Sequence, residues 1–400
     1  MYFLQFKSMK NFILLIPFLL LTFSVEGGEL PVIKINIEKK VSVISKHKYS
    51  EGKIKVISHG EELLMSNIKI KGRGYSTWQF PKKPYQIKFE KKESVLGMPK
   101  DKKWILLANY SDKTMLRNEV AFDLSRMSNL DWTPQSRFIE LFINDTYLGV
   151  YQITQKVEES SNRVKIGDDG YLLEVDQKKR LDGNDVYFNT EKHLFNIKEP
   201  KLKFLDSKFN LIKEYITKVD SIIMDENFRD PIEGYAKYID QDSFIDWYII
   251  NELTKNQDAK FYSSVYMNYM PGKKLKMGPI WDFDISLGNI NLNNNKSPEG
   301  FWIKRAVWYR QLFSDPNFVK KVKLRFNYFY AARPSIYEKL DTNVLYLAKA
   351  QESNFEKWPI LGQYVWPNNV AFPTYEEEVY YLKDWLEKRF DWLKTEIDGL

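Results

Sequence analysis

Apolar and polar positions alternate with a period of two through residues 30–89, as in Val32-Ile33-Lys34-Ile35-Asn36-Ile37 and Ile68-Lys69-Ile70-Lys71. Such alternation belongs to strands with one face in a core, so the N-terminal part is expected to be mostly sheet. Over residues 116–127 the period changes. Leu116, Val120, Leu124 and Met127 share one helical face after Ser111-Asp112-Lys113-Thr114, which predicts a helix following the sheet. Phe138-Ile139-Glu140-Leu141-Phe142-Ile143, then Asn144-Asp145, then Gly149-Val150-Tyr151-Gln152-Ile153 predict a β-hairpin whose turn is longer than the tightest type. Gly170-Tyr171-Leu172-Leu173-Glu174-Val175 adds a strand. Beyond about residue 200 the periodicity is helical, over residues 244–253, 308–329 and 375–397; in the last, Leu382, Leu386, Phe390, Leu393 and Ile397 form an apolar stripe. Two short strands interrupt it, Tyr266-Met267-Asn268-Tyr269 and residues 274–280, around Pro271-Gly272. The patterns divide the chain into a β-rich lobe at residues 29–199 and a mainly helical lobe at 200–400. This is an α+β class, with the cleft between lobes as the expected ligand site.

The start of the chain has a different pattern. Met9-Lys10-Asn11 precedes an apolar run over residues 12–25 and then Glu26-Gly27-Gly28, so residues 1–28 read as a signal peptide, with initiation at Met9 rather than Met1. The run is shorter than the roughly 20 apolar residues that span a bilayer. The protein is therefore expected to be exported, secreted or associated with the cell envelope, touching a membrane only through this segment if it stays uncleaved.

Composition narrows the chemistry. A chain with 44% hydrophobic and 28% charged residues is not disordered throughout. The absence of Cys excludes a disulfide scaffold, a thiol nucleophile and zinc–thiolate sites, and His47, His59 and His193 are too isolated to build a metal cage. The net charge of +7 is spread in both signs, which suits an anionic ligand. It lacks the basic stripe of a nucleic-acid binder, and no nucleic-acid partner is expected.

The densest chemical cluster is Gly278-Pro279-Ile280-Trp281-Asp282-Phe283-Asp284. Asp282 and Asp284 flank one apolar residue, so on an extended segment both carboxylates reach one hard cation, expected to be Mg²⁺, while Phe283 turns to the core. Upstream, a helix runs into Thr254-Lys255-Asn256-Gln257-Asp258. An acid on the loop after a helix, followed by a hairpin and an acidic pair, is a layout suited to phosphoryl transfer or to metal-assisted phosphoester hydrolysis. A second cluster, Lys71-Gly72-Arg73-Gly74-Tyr75-Ser76-Thr77-Trp78, has glycines that let backbone N–H groups approach an anion, with Arg73 and Ser76 as donors and Lys88 on the next strand. Lys156 and Arg117 compete with Lys88 for a phosphate, and Glu119 is a candidate partner that would fix Lys88. The many Trp side chains invite a carbohydrate-stacking reading, but Trp385 and its neighbours on amphipathic helices fit packing better.

The order of these pieces resembles the CotH kinase family, whose namesake is a bacterial spore coat protein. The resemblance rests on Gly72-Arg73-Gly74-Tyr75-Ser76-Thr77-Trp78 with Pro81-Lys82-Lys83-Pro84-Tyr85, Leu107-Ala108-Asn109-Tyr110 with Arg117-Asn118, and Asn144-Asp145-Thr146-Tyr147-Leu148-Gly149-Val150-Tyr151. Lys255-Asn256-Gln257-Asp258 and Trp281-Asp282-Phe283-Asp284 complete it. It implies an atypical protein-kinase-like fold that binds ATP with Mg²⁺ and phosphorylates Ser or Thr hydroxyls of a partner protein. It further implies that Asp258 positions the acceptor hydroxyl, that Asp282 and Asp284 hold the metal with help from Asn256, and that Trp281 lies beside the nucleotide. Which lysine meets the phosphates stays open. The three-glycine loop, His-Arg-Asp and Asp-Phe-Gly of ordinary protein kinases are missing as written. A non-catalytic surface or matrix protein of the same fold, and a metal-dependent phosphoester hydrolase, are the alternatives.

Overall fold

The computed structural model describes residues 29–37, 44–204 and 206–400. The signal-peptide reading of residues 1–28 lies outside them. No described helix is long and apolar enough to cross a membrane.

The alternating N-terminal segment forms β1 (Val32–Ile37), β2 (Ser50–Ser58), β3 (Glu61–Gly72), β4 (Tyr85–Glu93) and β5 (Asp101–Leu107). Helix α1 (Arg117–Arg126) and the hairpin β6 (Ser136–Ile143) and β7 (Thr146–Gln155) follow. The seven strands close into a barrel in the order β1-β2-β3-β4-β5-β7-β6, with β1 parallel to β6 and the other pairs antiparallel. Closure refines the expected β-rich, kinase-like lobe: Ile33, Ile35, Ile54, Val56, Ile68, Ile70, Ile87, Phe89, Trp104 and Leu106 all point into one interior. The period of two makes this unavoidable, since a one-residue slip would turn each apolar set outward. The β6–β7 turn is tighter than expected. It consists of Asn144 and Asp145 alone, both at positive φ (49° and 62°), as a two-residue turn of primed type requires.

A second sheet has the order β12-β11-β8-β10-β9, from β8 (Tyr171–Val175), β9 (Val186–Asn189), β10 (Leu194–Glu199), β11 (Val265–Tyr269) and β12 (Lys276–Met277). It joins strands from both sides of the boundary expected at residues 199 and 200, because β8 pairs with β11 along its whole length. The helices are α2 (Ser207–Met224), α3 (Tyr235–Tyr238), α4 (Gln241–Thr254), α5 (Val307–Leu312), α6 (Pro316–Leu347), α7 (Ala350–Lys357) and α8 (Tyr375–Asp398). The helix expected over residues 308–329 is two: Asp315 accepts the Asn317 N–H at 2.9 Å, and Pro316 opens a new helix. Trp308 and Trp385 are buried core residues, as expected.

Helix α4 is buried on all sides and forms the centre of the helical body. Its Glu252 is nearly inaccessible and bonds Arg389 of α8 (2.7 Å) and the N–H groups of Trp302 (2.7 Å) and Lys304 (2.8 Å). Truncating either member would leave the other charge buried and unpaired.

Lys82 fastens the barrel to α7, donating to Val150 O (2.5 Å) and Asn354 Oδ1 (2.8 Å). Burial pushes its ammonium down to about 7. Between that value and the ordinary 10.5 the unfolded chain holds a proton that the folded chain has shed, so this residue makes stability rise with pH in that window. Melting temperatures at pH 6.5 and pH 9.5 should show wild type gaining on Lys82→Met as pH rises; parallel curves would contradict the depressed pKa.

Candidate active site

Three elements bring the acids together. Helix α4 ends at Lys255, which has left-handed backbone (φ 49°) and donates from Nζ to the carbonyls of Asn294, Ser297 and Glu299 at 2.5–3.1 Å. The turn that follows is knit by Asn256, whose Oδ1 accepts the Asp258 N–H (3.2 Å) and whose Nδ2 faces Asn251 Oδ1 (3.3 Å) and Asp282 O (3.4 Å). Asn256 therefore splices the two acidic loops together. Its amide oxygen accepts one hydrogen bond, from the Asp258 N–H, and keeps a second lone pair beside the two acidic loops.

Beyond β12 the chain enters Trp281-Asp282-Phe283-Asp284. Phe283 is fully buried, as expected, although the left-handed Asp282 breaks the extended segment on which that expectation rested, and its N–H donates to Asn118 Oδ1 of α1 at 2.9 Å. Asp282 sits at φ 72°, a strained conformation for a residue with a side chain, of the kind found where function dictates backbone geometry. Its Oδ2 accepts from Ser264 Oγ at 3.2 Å, and Asp284 Oδ2 accepts from Ser111 Oγ at 3.4 Å. Asp258 Oδ2 accepts from Ser263 Oγ at 2.8 Å and lies 3.5 Å from Arg180 Nη2.

Negative charge is concentrated here. Burial first, and then Asp282, Asp112 and Asp258, push the Asp284 carboxyl up to about 8. Burial and Asp282 also raise Asp258, against the opposing pull of Arg180 and Ser263. Among the described residues no three acidic or His side chains stand close enough to cage a metal unaided. Two carboxylates completed by phosphate oxygens and water are the usual protein share of a Mg²⁺ site, and a divalent cation would relieve this repulsion, so the donor set fits.

Cations face the acids. The Arg73 guanidinium lies 5.5 Å from the Trp281 ring centroid. Burial lowers its pKa, while Asp282, Tyr266, Glu174 and Asp284 pull the other way. Trp281 itself is buried against Phe122, so beside any nucleotide it would present only part of its ring. Gly72 and Gly74 shape the loop: a Cβ at Gly72 would come within 2.2 Å of the Trp78 ring, and Gly74 needs φ 86°. Ser76 is exposed and caps nothing.

A row of ammonium groups continues from the barrel to the second sheet. Lys103 on β5 and Lys156 after β7 share Glu158 (2.8 and 3.2 Å), while Lys198 on β10 pairs with Glu174 (3.0 Å). Burial pushes Lys156 down to about 8, Glu158 opposing and Lys103 and Lys198 adding. Asp176 is pushed up to about 6, by burial and then by Glu174. Lys88 stands in register with Lys103 on the outer face of β4.

The expected Lys88–Glu119 pair does not form. Glu119 bonds Ser136 Oγ, Gln152 Nε2 (2.9 Å) and Arg126 (2.8 Å), because α1 lies against β7 and β6, two and three positions around the barrel from β4. Arg117 is also removed from the competition for phosphate. It is fully buried, paired with Asp112 at 2.6 Å and donating from Nε to Ser286 O at 3.1 Å.

Sequence reasoning missed Arg180, Lys103, Lys198 and Glu174, which look like ordinary strand and loop charges until the second sheet meets the barrel. For Arg117 and Asn118 the signal was their position at the start of a helix after Asp112.

A family model described as CotH kinase protein matches residues 69–393, a range that holds every residue of this site. No curated protein matches the chain.

Because the Asp284 carboxyl is raised from its ordinary 3.8, the folded chain holds a proton that the unfolded chain loses, and stability falls as pH rises from about 4 to about 8. Without divalent cation, Asp284→Asn should be more stable than wild type at pH 8, by about 1 kcal/mol or more in denaturant unfolding, with the difference vanishing near pH 4. An equal offset at both pH values would contradict the raised pKa.

Proposed function

We propose that the chain, which belongs to the CotH kinase family, is an exported protein kinase that transfers the γ-phosphoryl group of ATP to a Ser or Thr hydroxyl of a partner protein. The observation that carries this reading is the meeting of Asp258 with Asp282 and Asp284 opposite Arg73. Asp258 is the group to orient the attacking hydroxyl and take its proton. Its raised pKa brings it closer to neutral pH, where proton acceptance is most effective. Asp282 and Asp284 would hold Mg²⁺, which when bound supplies charge neutralisation to the phosphates. Arg73, backed by Trp281, would meet a phosphate from the barrel side, and the Lys103, Lys156 and Lys198 ammonium row supports a longer path for an anion. Lys156, with its pKa lowered to about 8, is the ammonium whose charge phosphate binding would restore most. Export rests on the pattern of residues 1–28.

Calorimetric titration of ATP into the purified chain, with and without Mg²⁺, tests the nucleotide site. Saturable binding that requires Mg²⁺ and disappears in Asp282→Ala/Asp284→Ala is expected. Asp258→Asn should keep binding and melt no lower than wild type, since the Asp258 carboxyl is itself raised by burial and Asp282, while losing transfer to protein by about 10²-fold or more. Release of phosphate with no labelled protein would favour a hydrolase, and no binding by folded wild type would favour a non-catalytic protein.

A further inference from the structure

Arg180 ends the short turn Lys178–Arg180 that follows β8. Its Nη1 donates to Ser263 Oγ at 2.7 Å and its Nη2 lies 3.5 Å from Asp258 Oδ2, the oxygen to which Ser263 Oγ itself donates at 2.8 Å. Guanidinium, hydroxyl and carboxylate thus form a ring on one oxygen of Asp258. Among the described residues Oδ1 has no such partner, and it is the oxygen left for an incoming hydroxyl. The guanidinium also lies 5.5 Å from the Tyr75 ring and 6.0 Å from the Tyr262 ring. Tyr75 belongs to the same loop as Arg73, which stacks on Trp281. One side chain therefore touches the barrel loop and the acid of the helical body. Asp282 raises the Asp258 carboxyl, while Arg180 draws both Asp258 and Asp176 down, so the guanidinium stands between the carboxylates of Asp258 and Asp176.

We propose that Arg180 is a positioning residue: it fixes Asp258 Oδ2 so that Oδ1 faces the acceptor hydroxyl, and through Tyr75 it sets the loop of residues 72–78 in register with that carboxylate. The role in transfer rests on the kinase reading; the role in holding the two segments does not. A planar fork that bonds two partners while its face lies against a ring is geometry that Arg offers and Lys only partly reproduces.

The test compares wild type, Arg180→Lys, Arg180→Ala and Tyr75→Ala as full chains. Amide hydrogen exchange read by mass spectrometry reports on residues 72–78 and 256–264 without reference to activity. Arg180→Ala should speed exchange in both segments, Arg180→Lys less so, and Tyr75→Ala mainly in the first. Transfer from radiolabelled ATP to dephosphorylated casein gives the kinetic readout. Arg180→Ala should lower kcat about tenfold with the KM for ATP within about twofold of wild type, and Arg180→Lys should recover much of the loss. Unchanged exchange in both segments, or a loss confined to KM, overturns the proposal. A wild type that neither binds ATP with Mg²⁺ nor labels casein sinks the kinase reading instead, while the exchange data still decide whether Arg180 ties the loop to Asp258.

Discussion

Two neighbouring side chains at the start of α1 hold the acidic loop where it is. Arg117 reaches the Ser286 carbonyl and Asn118 accepts the Phe283 N–H. The loop carries Asp282 in a left-handed conformation and two carboxylates that repel each other, and the bonds within it, Ser286 Oγ to Phe283 O and Asn289 Nδ2 to Asp284 O at 2.7 Å each, work against that strain. Further stability is borrowed from a buried polar network. Asp112 neutralises Arg117, and Asn118 Nδ2 passes to Asn109 Oδ1 and on to Gln152 and Glu119. Such networks are costly when incomplete and specify one arrangement when satisfied. Because Gln152 is on β7, the acid pair is referenced to the barrel as well as to the helical body.

The strand pattern has a second effect at the site. Residues of odd and even number on β5 face different surroundings: Trp104 and Leu106 fill the barrel, while Lys103 looks outward to Glu158. The alternation that builds the interior therefore also sets out the cations on the exterior. Their carboxylate partners, Glu158 and Glu174, keep the row from repelling itself apart, yet leave the lysines partly desolvated.

Strands, helices and the three acids were legible in the sequence because each depends on local period or on spacing. Phe283 between two Asp is such a case, as is Asp258 just past the end of a helix. Arrangement in space was harder. Nothing local says that β8 pairs with β11 across the expected lobe boundary, and without that pairing Glu174, Lys198 and Arg180 have no reason to stand near Asp258. The Lys88–Glu119 pairing failed for a similar reason. It required knowing over which strands α1 lies, and that is set by Ser136 and Gln152 on β6 and β7. Turn length at Asn144 and Asp145 was misjudged although Asn and Asp are residues that tolerate positive φ.

A sheet closed on itself has mechanical properties that an open one lacks. Hydrogen bonds run around all seven strands, so no edge strand is free to slide or peel away, and shear at one point must be carried by the whole ring. The loop that bears Arg73 and Tyr75 springs from two members of that ring, β3 and β4, which pair up to Gly72 and Tyr85. It is mounted like a tooth on a rigid wheel. Widening the gap above Asp258 thus calls either for bending the tooth, with Trp78 pressed against Gly72, or for rolling the wheel as one body over the helices beneath it.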